Sequence, residues 1–331
     1  MTNQHPTVVS FGEILMRLTP PQGNRLSDTP SFDVCYGGSE ANVMIALSSM
    51  GDQTSFLTLL PDNDLGTAAK RHLCKYRVNT DHIIQKGSVM GSYFFEPGFD
   101  ALASKVIYHR RYSEVARPEG FESQFDWDEI FASCGLFHIS GISFALSDDC
   151  RKLCFTLLKE AKKRKIPISF DFNYRGKLWS IDEAKAVYQQ IVPYVDILFC
   201  SKKDLEVFLD LKKADFYKQY NCKYLVIRER KVLKDDRHSA VAKIYHFENG
   251  QLTQGKTEKF TYHVLDRIGS GDAFCAGVLH QILKGTTDLN AILDFGMSAF
   301  ILKHYIHGDI LVCSEKEIND FNMAENKDVK R

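Results

Sequence analysis

Alternation of strand-like and helix-like segments constrains the fold of this chain more than any other feature of its sequence. Short β-rich segments precede or follow segments with helical periodicity, and after residue 130 the alternation is regular. Predicted strands cover 7–11, 54–60, 135–139, 166–172, 196–200 and 224–227. Predicted helices cover 40–50, 66–76, 147–165, 182–192, 203–209 and 273–283. Such alternation with apolar strands is typical of an α/β fold with a mainly parallel sheet flanked by helices.

Two stretches, residues 13–36 and 86–112, interrupt this alternation. They lack a helical period, contain aromatic and β-branched residues, and carry turn signals such as Pro20-Pro21 and Pro97-Gly98. We expect short antiparallel strands that together form one small β-sheet lid, and such a lid would exclude water from a reaction site. An edge extension used only for dimer contact is the alternative. The polar tail, 323–331, is expected to be disordered.

The segment Asp266–Gly277, DRIGSGDAFCAG, carries the clearest chemical signal. Its turn Gly269-Ser270-Gly271 precedes Asp272 and a predicted helix. Glycine allows sharp turns and close approach to a ligand, and the first N–H groups of a helix favour an anion. A phosphoryl group bound there would have a carboxylate beside it to accept a proton, which suits phosphoryl transfer to an alcohol. An ordinary glycine turn with Asp272 as a helix cap is the alternative.

A second motif, Tyr36–Asn42 (YGGSEAN), runs into the first predicted helix. Gly37 and Gly38 permit close approach of a substrate to the backbone, and the Asn42 amide can orient a hydroxyl. Together the two motifs resemble the signatures of the ribokinase-like, or phosphofructokinase B type, carbohydrate kinases, and the resemblance covers residues 7–320.

The resemblance implies a doubly wound α/β domain with a β lid, ATP as phosphoryl donor and Mg²⁺ as the divalent cation. It also implies that Asp272 is the catalytic base and that the amides of Gly269, Ser270, Gly271 and Asp272 form an anion hole. Gly37, Gly38 and Asn42 are then expected to contact the substrate. Association of copies through the lid is an analogy with the same family.

Further residues are similar to the 2-keto-3-deoxygluconate kinases of that family. The segment Ser169–Trp179 (SFDFNYRGKLW) resembles one that those enzymes carry, and Tyr93, Tyr108, Arg110 and Asp309 fall where those enzymes place substrate contacts. For the two tyrosines simple packing is the alternative, and for Asp309 a surface turn.

Arg110 and Arg175 are guanidinium forks suited to bidentate binding of a carboxylate, which a neutral sugar lacks. The pair therefore predicts an acidic substrate. Two alternatives remain for Arg175, namely contact with ATP phosphates only or a structural ion pair. For Arg110 the alternative is a solvated face of the lid.

The sequence departs from the family pattern around the nucleotide. Where family members carry a glycine-bearing loop over ATP, residues 227–238 contain no glycine, so Arg228 is a candidate for phosphate contact through its side chain. Ser201 and Asp204 stand where many members have asparagine and glutamate. Ser201 remains a candidate nucleotide contact, and Asp204 keeps a carboxylate for metal-bound water on a shorter side chain.

Charge and composition restrict the other partners. The 331 residues contain 42 Lys+Arg and 42 Asp+Glu, so no global field recruits nucleic acid or an acidic membrane. Nine irregularly spaced cysteines do not suggest a disulfide framework, and no apolar run approaches the ~20 residues that span a bilayer. The N-terminal residues lack a secretory pattern. A cytoplasmic location is expected.

The sequence thus predicts an ATP-dependent kinase for a primary hydroxyl of an acidic keto sugar, O6 of 2-keto-3-deoxygluconate. Arg110 and Arg175 would anchor the carboxylate, and Asp272, with a reference pKa of about 3.9, would accept the proton. Two alternatives stay open: a kinase for a neutral sugar of the fructokinase or ribokinase type, and a sugar-binding regulator that has lost ATP use.

Overall fold

The structure is a computed structural model that describes residues 6–98, 102–118, 120–211, 216–217, 219–233 and 237–322. The predicted disordered tail, 323–331, lies outside the described residues. No helix of the described part is long and apolar enough to cross a membrane.

The strands of the described chain are numbered in chain order. They are β1 Thr7–Phe11, β2 Leu15–Thr19, β3 Asp33–Gly37, β4 Thr54–Leu60, β5 Ile83–Gln85, β6 Ser92–Glu96, β7 Lys105–His109, β8 Cys134–Ser140, β9 Ile168–Asp171, β10 Ile197–Cys200, β11 Tyr224–Val232, β12 His238–Glu248, β13 Gln251–Lys256 and β14 Phe260–Tyr262. The α-helices are α1 Ser39–Met50, α2 Asp64–Lys75, α3 Trp127–Phe131, α4 Gly141–Ala145, α5 Asp148–Lys163, α6 Ile181–Ile191, α7 Lys202–Leu209, α8 Ser270–Leu283, α9 Leu289–His304 and α10 Glu315–Asn322.

Ten strands form the main sheet in the order β13-β12-β11-β10-β9-β8-β1-β4-β5, with β14 paired to β12. The pairings from β11 to β5 are parallel, and β12 pairs antiparallel with β11, β13 and β14. The prediction of a doubly wound, mainly parallel sheet is confirmed. The order reverses at β1, which lies between β4 and β8, and in open α/β sheets ligands bind beyond the carboxyl ends of strands at such a switch point.

Helices cover both faces of this sheet because its strands are apolar on both faces. Within β1, Val9 and Phe11 pack in one apolar cluster, whereas Val8 packs in the other. Helices α8 and α9 touch through their backbones, since a Cβ atom added at Gly277 would lie 2.9 Å from the Cα atom of Gly296. This contact fixes the start of α8 relative to the body of the domain.

The predicted lid is present as a second sheet in the order β3-β2-β6-β7. Its β2–β3 and β6–β7 pairs are antiparallel as predicted, but β2 and β6 are parallel, so that part of the prediction is wrong. The reason is topological. Both strands enter the lid from the carboxyl ends of parallel strands of the main sheet, β1 and β5, and therefore run in the same direction.

Beyond residue 227 the structure differs from the expected loop. β11 continues to Val232 and pairs with β12, with Arg228 opposite Ala242 and Val232 opposite His238. The segment is therefore a β-hairpin, whose connecting residues 234–236 lie outside the described part. The strand was not predicted beyond residue 227 because its remaining residues are mostly charged. An antiparallel hairpin that faces solvent needs no continuous apolar run.

Candidate active site

Asp272 is the third residue of α8, whose N-cap is Gly269. Gly269 has a φ of 77°, in the left-handed region that favours glycine, and a Cβ atom there would lie 1.6 Å from the carbonyl oxygen of Asp309. The glycine turn thus packs directly on the chain segment at Asp309. A side chain at position 269 would displace the helix start and Asp272 with it.

The two sequence motifs meet at the carboxylate of Asp272. Asn42 Nδ2 donates to Asp272 Oδ2 at 2.7 Å, and Ser39 Oγ donates to Asp272 Oδ1 at 3.1 Å. Asn42 Oδ1 in turn accepts from the N–H of Gly38 at 3.2 Å, and Asn173 Nδ2 donates to Ser39 Oγ at 2.6 Å. Both carboxylate oxygens are therefore oriented by residues at the start of α1.

Burial changes the protonation of this carboxyl. Asp272 is 9% exposed, and burial raises its pKa to about 6, opposed by the hydrogen bond from Asn42 and the charge of Arg175. Asp171, at the carboxyl end of β9, has its pKa raised to about 7 by burial and by the charge of Asp272. The expected pKa of about 3.9 is therefore too low, yet Asp272 remains ionised above about pH 6.

One of the four amides predicted to form an anion hole at the start of α8 already has a hydrogen-bond partner. The first intrahelical bond runs from Ala273 N to Gly269 O at 2.9 Å, so the preceding amides lie outside the helical ladder. Ser270 N already donates to the carbonyl of Arg267 at 3.3 Å, and Ser270 Oγ donates to the same oxygen at 2.9 Å. Among the described residues, the amides of Gly271 and Asp272 precede the first helical hydrogen bond and have no recorded acceptor, which makes them candidates for binding an anion.

Arg228 lies beside this helix start. One of its terminal nitrogens, Nη2, is 3.2 Å from the position that a Cβ atom on Gly271 would take, and its Cζ atom lies 4.5 Å from the ring centroid of Phe300. Burial lowers the pKa of Arg228, while the charge of Asp171 opposes that effect. No carboxylate among the described residues forms an ion pair with it. The Arg228 guanidinium therefore lies next to Gly271 at the start of α8.

A cleft of about 1920 Å³ opens between the lid and the body of the domain, and Tyr108, Arg110 and Arg175 line it. Asp272 is not among the lining residues. Tyr108 is 38% exposed. The exposed Arg175 donates from Nη1 to the carbonyl of Tyr174 at 3.2 Å, and no carboxylate within the described ranges pairs with it. Arg175 thus presents its charge to the cleft without a direct ion-pair partner among the described residues.

Arg110 differs from Arg175 because it is buried and paired. Its Nη2 atom lies 2.5 Å from Glu13 Oε2, and Ser113 Oγ donates to Glu13 Oε1 at 3.0 Å. Burial raises the pKa of Glu13, and the charge of Arg110 opposes the rise. The Arg110 side chain is 8% exposed, so the alternative of a solvated lid face does not hold. Glu13 was not identified from the sequence, although an acid two residues after a buried strand is a usable signal.

Asp309 and Tyr93 are both buried and belong to one charge network. The alternative of a surface turn at Asp309 is therefore wrong. Tyr93 O–H donates to Asp309 Oδ2 at 2.5 Å, and Arg17 Nη1 donates to Asp309 Oδ1 at 2.8 Å. Arg17 Nη2 also pairs with Asp266 Oδ2 at 2.7 Å. Sequence reasoning missed Arg17, whose one signal is a lone charge between the apolar residues of strand β2.

Gly37 and Gly38 allow the end of β3 to pack closely against other parts of the chain. A Cβ atom would lie 2.2 Å from Asp309 Oδ2 if added at Gly37, and 1.8 Å from the carbonyl oxygen of Glu13 if added at Gly38. These glycines therefore allow the end of β3 to approach both carboxyl-bearing segments.

Ser201 and Asp204 form a reciprocal cap at the start of α7. Ser201 Oγ accepts from Asp204 N at 3.2 Å, and Asp204 Oδ2 accepts from Ser201 N at 2.6 Å. Among the described residues, no three carboxylate, histidine or cysteine groups are placed to hold a metal ion. The Asp204 carboxylate fits Mg²⁺ bound together with a nucleotide, because Mg²⁺ keeps several waters and uses one or two carboxylates plus substrate phosphates.

A doubly wound sheet, a β lid and a carboxylate at a glycine-led helix start define a sugar kinase of the ribokinase-like class. Residues 5–305 match the model of the pfkB family carbohydrate kinases, and the chain belongs to that family. It is a carbohydrate kinase.

Relatives and solved structures agree with this assignment. The chain is 28% identical over 324 residues to a 2-dehydro-3-deoxygalactonokinase of Haloferax volcanii, covering 94% of this chain and 95% of that protein. A crystal structure of 2-dehydro-3-deoxygluconokinase from Thermotoga maritima has a TM-score of 0.89 and 36% identity, covering 97% of this chain and 99% of that one. A putative ribokinase II from E. coli in complex with ATP and Mg²⁺, at 17% identity and a TM-score of 0.80, covers 96% of this chain and 99% of its own and supports the fold alone.

Proposed function

We propose that this kinase phosphorylates the primary hydroxyl of a 2-keto-3-deoxy sugar acid, such as 2-keto-3-deoxygluconate, with ATP as donor. The observation that carries the proposal is the placement of Arg110 and Arg175 on one cleft, where Arg175 forms no direct ion pair with a carboxylate of the described chain. Relatives named for the gluconate and galactonate series support the same substrate class.

In this proposal Arg175 binds the substrate carboxylate with its guanidinium fork. Arg110 contributes the donors that Glu13 does not occupy, so Glu13 fixes its orientation. Tyr93, Tyr108 and Asp309 provide contacts for the sugar hydroxyls from the lid and from the segment after α9. Gly37 and Gly38 allow the chain to close around the sugar, and Gly38 orients Asn42.

The ionised Asp272 accepts the proton of the attacking hydroxyl. Asn42 and Ser39 hold its carboxylate in place, so little reorganisation is needed during the reaction. A strong base is unnecessary where the transition state is loose. The amides of Gly271 and Asp272, together with Arg228, stabilise the negative charge on the transferring group. Gly269 and Ser270 shape the turn that presents these amides.

ATP and Mg²⁺ bind in this proposal beyond the carboxyl ends of β10 and β11. Ser201 and Arg228 contact the nucleotide, and the free oxygen of Asp204 contacts metal-bound water. Mg²⁺ supplies charge neutralisation on the phosphates when it is bound. Copies of the chain associate through the lid, whose strands expose Val34 (53%) and Ile107 (40%).

The test is a coupled assay of the purified protein with ATP and four acceptors: 2-keto-3-deoxygluconate, its galactonate isomer, fructose and ribose. We expect kcat/KM to be highest for an acid. Arg175→Met should raise KM for that acid roughly 10- to 100-fold, the value of one charge-assisted hydrogen-bond pair. Lys177→Met, a cation on the same loop and cleft, is the matched control and should change KM little. A preference for fructose or ribose would refute the acidic substrate.

The β-hairpin in place of a glycine-bearing loop is the one observation that favours a non-catalytic regulator. Titration calorimetry with Mg²⁺ and ATP separates the two functions. A kinase binds the nucleotide, whereas a sensor without nucleotide binding would show heat with the sugar acid alone.

A further inference from the structure

Arg17 connects the lid to the floor of the active site. It lies on β2, its side chain is 3% exposed, and its Cζ atom lies 4.3 Å from the ring centroid of the lid residue Phe95. All three of its nitrogens donate: Nε to Thr19 Oγ1 at 2.9 Å, Nη1 to Asp309 and Nη2 to Asp266. The guanidinium is thus held by the lid and bridges two carboxylates of the main domain.

Those two carboxylates shape the turn in front of α8. Asp266 Oδ1 accepts from the N–H of Ile268 at 3.0 Å, and Asp266 Oδ2 accepts from the N–H of Gly308 at 3.1 Å. The carbonyl of Asp309 lies where a Cβ atom on Gly269 would clash. Asp266 and Asp309 therefore set the backbone on both sides of Gly269, and with it the amides of Gly271 and Asp272.

The charges of this network balance only when Arg17 is present. Lys303, whose Nζ donates to the carbonyl of Ile306 at 2.9 Å, is the other buried cation near Asp266 and Asp309. Breaking a buried ion pair on one side leaves an uncompensated buried charge, which is strongly destabilising. The carboxylates left without Arg17 would lie on the segments that carry the phosphate-binding turn.

The sugar side of the site enters the same network. Tyr93, on the neighbouring lid strand β6, donates to the Asp309 oxygen that Arg17 does not take. A carboxylate offers about four acceptor positions, so a sugar hydroxyl can join Asp309 without displacing Arg17 or Tyr93. Contact of a sugar hydroxyl with Asp309 would then affect the positions of Arg17, Asp266 and the turn, because Arg17 links the two carboxylates.

We propose that Arg17 is a positioning residue that couples closure of the lid over the sugar to the shape of the phosphate-binding turn 266–272. The inference rests on the proposed function in one respect, namely that the turn binds the transferring phosphate. A buried ion pair that only stabilises the fold is the competing explanation, and it predicts no selective effect on the turn.

The test compares Arg17→Lys with Arg25→Lys in the full-length protein. Lysine keeps the charge but cannot span two carboxylates. Arg25 pairs with Glu96 on the lid at 2.8 Å and makes no contact with the turn among the described residues, so it serves as a control ion pair on the lid. The first measurement is amide hydrogen exchange in the absence of any substrate.

We expect Arg17→Lys to increase exchange at 92–96 and 266–272 together, and Arg25→Lys to increase it only around residues 25–26 and 96. For Arg17→Lys, kcat should fall roughly 10- to 100-fold with KM for the sugar changed less than about threefold, as for misplaced catalytic groups. Unchanged exchange at 266–272, or a lower unfolding temperature with normal kcat, would overturn the proposal.

If Arg17→Lys does not fold, Tyr93→Phe provides the second variant, because it removes one hydrogen bond to Asp309 and leaves both ion pairs. Increased exchange at 266–272 in Tyr93→Phe supports the coupling, and exchange like that of the wild type refutes it. Since exchange needs no substrate, a wild-type protein inactive on sugar acids would refute the proposed function without deciding this inference.

Discussion

Asn42 donates its side-chain amide to the carboxylate of Asp272 at 2.7 Å, while its amide oxygen accepts the N–H of Gly38 at 3.2 Å. The second bond fixes which end of the amide faces Asp272. The start of α1 therefore orients the carboxylate at the start of α8, although 230 residues separate the two partners in the chain.

Replacement of Asp272 by asparagine tests its role as the base. We expect kcat to fall ~10²- to 10⁴-fold, the usual range for loss of general-base catalysis, with little change in sugar affinity. In the wild type, the rate should rise with pH and level off above about pH 6, because the pKa of Asp272 is raised to about 6 by burial and the base must be ionised. Initial rates between pH 5 and 8 measure this. A flat profile would contradict the assignment.

The same substitution should stabilise the protein at alkaline pH. A carboxyl whose pKa is raised on folding, here from 3.8 to about 6, favours the folded state while protonated, and that contribution is lost as pH rises through the folded pKa. Asp272→Asn lacks this loss, so its free energy of unfolding at pH 8 should exceed that of the wild type, by at most about 3 kcal/mol. Urea unfolding at pH 8 and pH 4 is the measurement, and the difference should shrink at pH 4.

Alanine at Gly269 should abolish activity, and Gly285 offers a matched control. The two glycines have φ values of 77° and 76°, but a Cβ atom at Gly285 meets nothing within 4 Å. Gly285→Ala should therefore introduce only the strain of a left-handed backbone. This strain should lower the free energy of unfolding by about 1–3 kcal/mol. Gly269→Ala adds a clash with the Asp309 carbonyl. Equal kcat values for the two folded variants would contradict the described packing of the turn.

Asp204 can cap a helix, contact metal-bound water, or do both, and two substitutions separate these roles. Asp204→Asn keeps an acceptor for Ser201 N and removes the charge, so we expect it to raise the Mg²⁺ concentration for half-maximal rate several-fold with nearly unchanged stability. Asp204→Ala also removes the cap and should lose about 1 kcal/mol of the free energy of unfolding. Wild-type Mg²⁺ dependence in Asp204→Asn would leave Asp204 with the capping role alone.

Much of the fold was predictable because its signals are local. The strands Thr7–Phe11 and Thr54–Leu60 have the predicted bounds, and α1 begins at Ser39, one residue before the predicted start. Helix Leu289–His304 was not predicted, since its apolar residues surround it and leave no single apolar face.

The site was predictable where short motifs carry it and not where distant pairs do. Asp272 and Asn42 each stand in a recognisable motif, and the structure brings them together. Arg17 has partners 249 and 292 residues further along the chain, and no local sequence pattern predicts contacts between residues so far apart. The shift of the Asp272 pKa escaped prediction for the same reason, because burial is a property of the assembled domain.

Gly277 and Gly296 have a bearing on how this enzyme can evolve. Because the two helix backbones meet there without side chains between them, growth of either residue pushes α8 and α9 apart and shifts the helix that carries Asp272. Random mutagenesis for altered sugar preference should therefore recover changes in the cleft but none at these two glycines, which do not line that cleft.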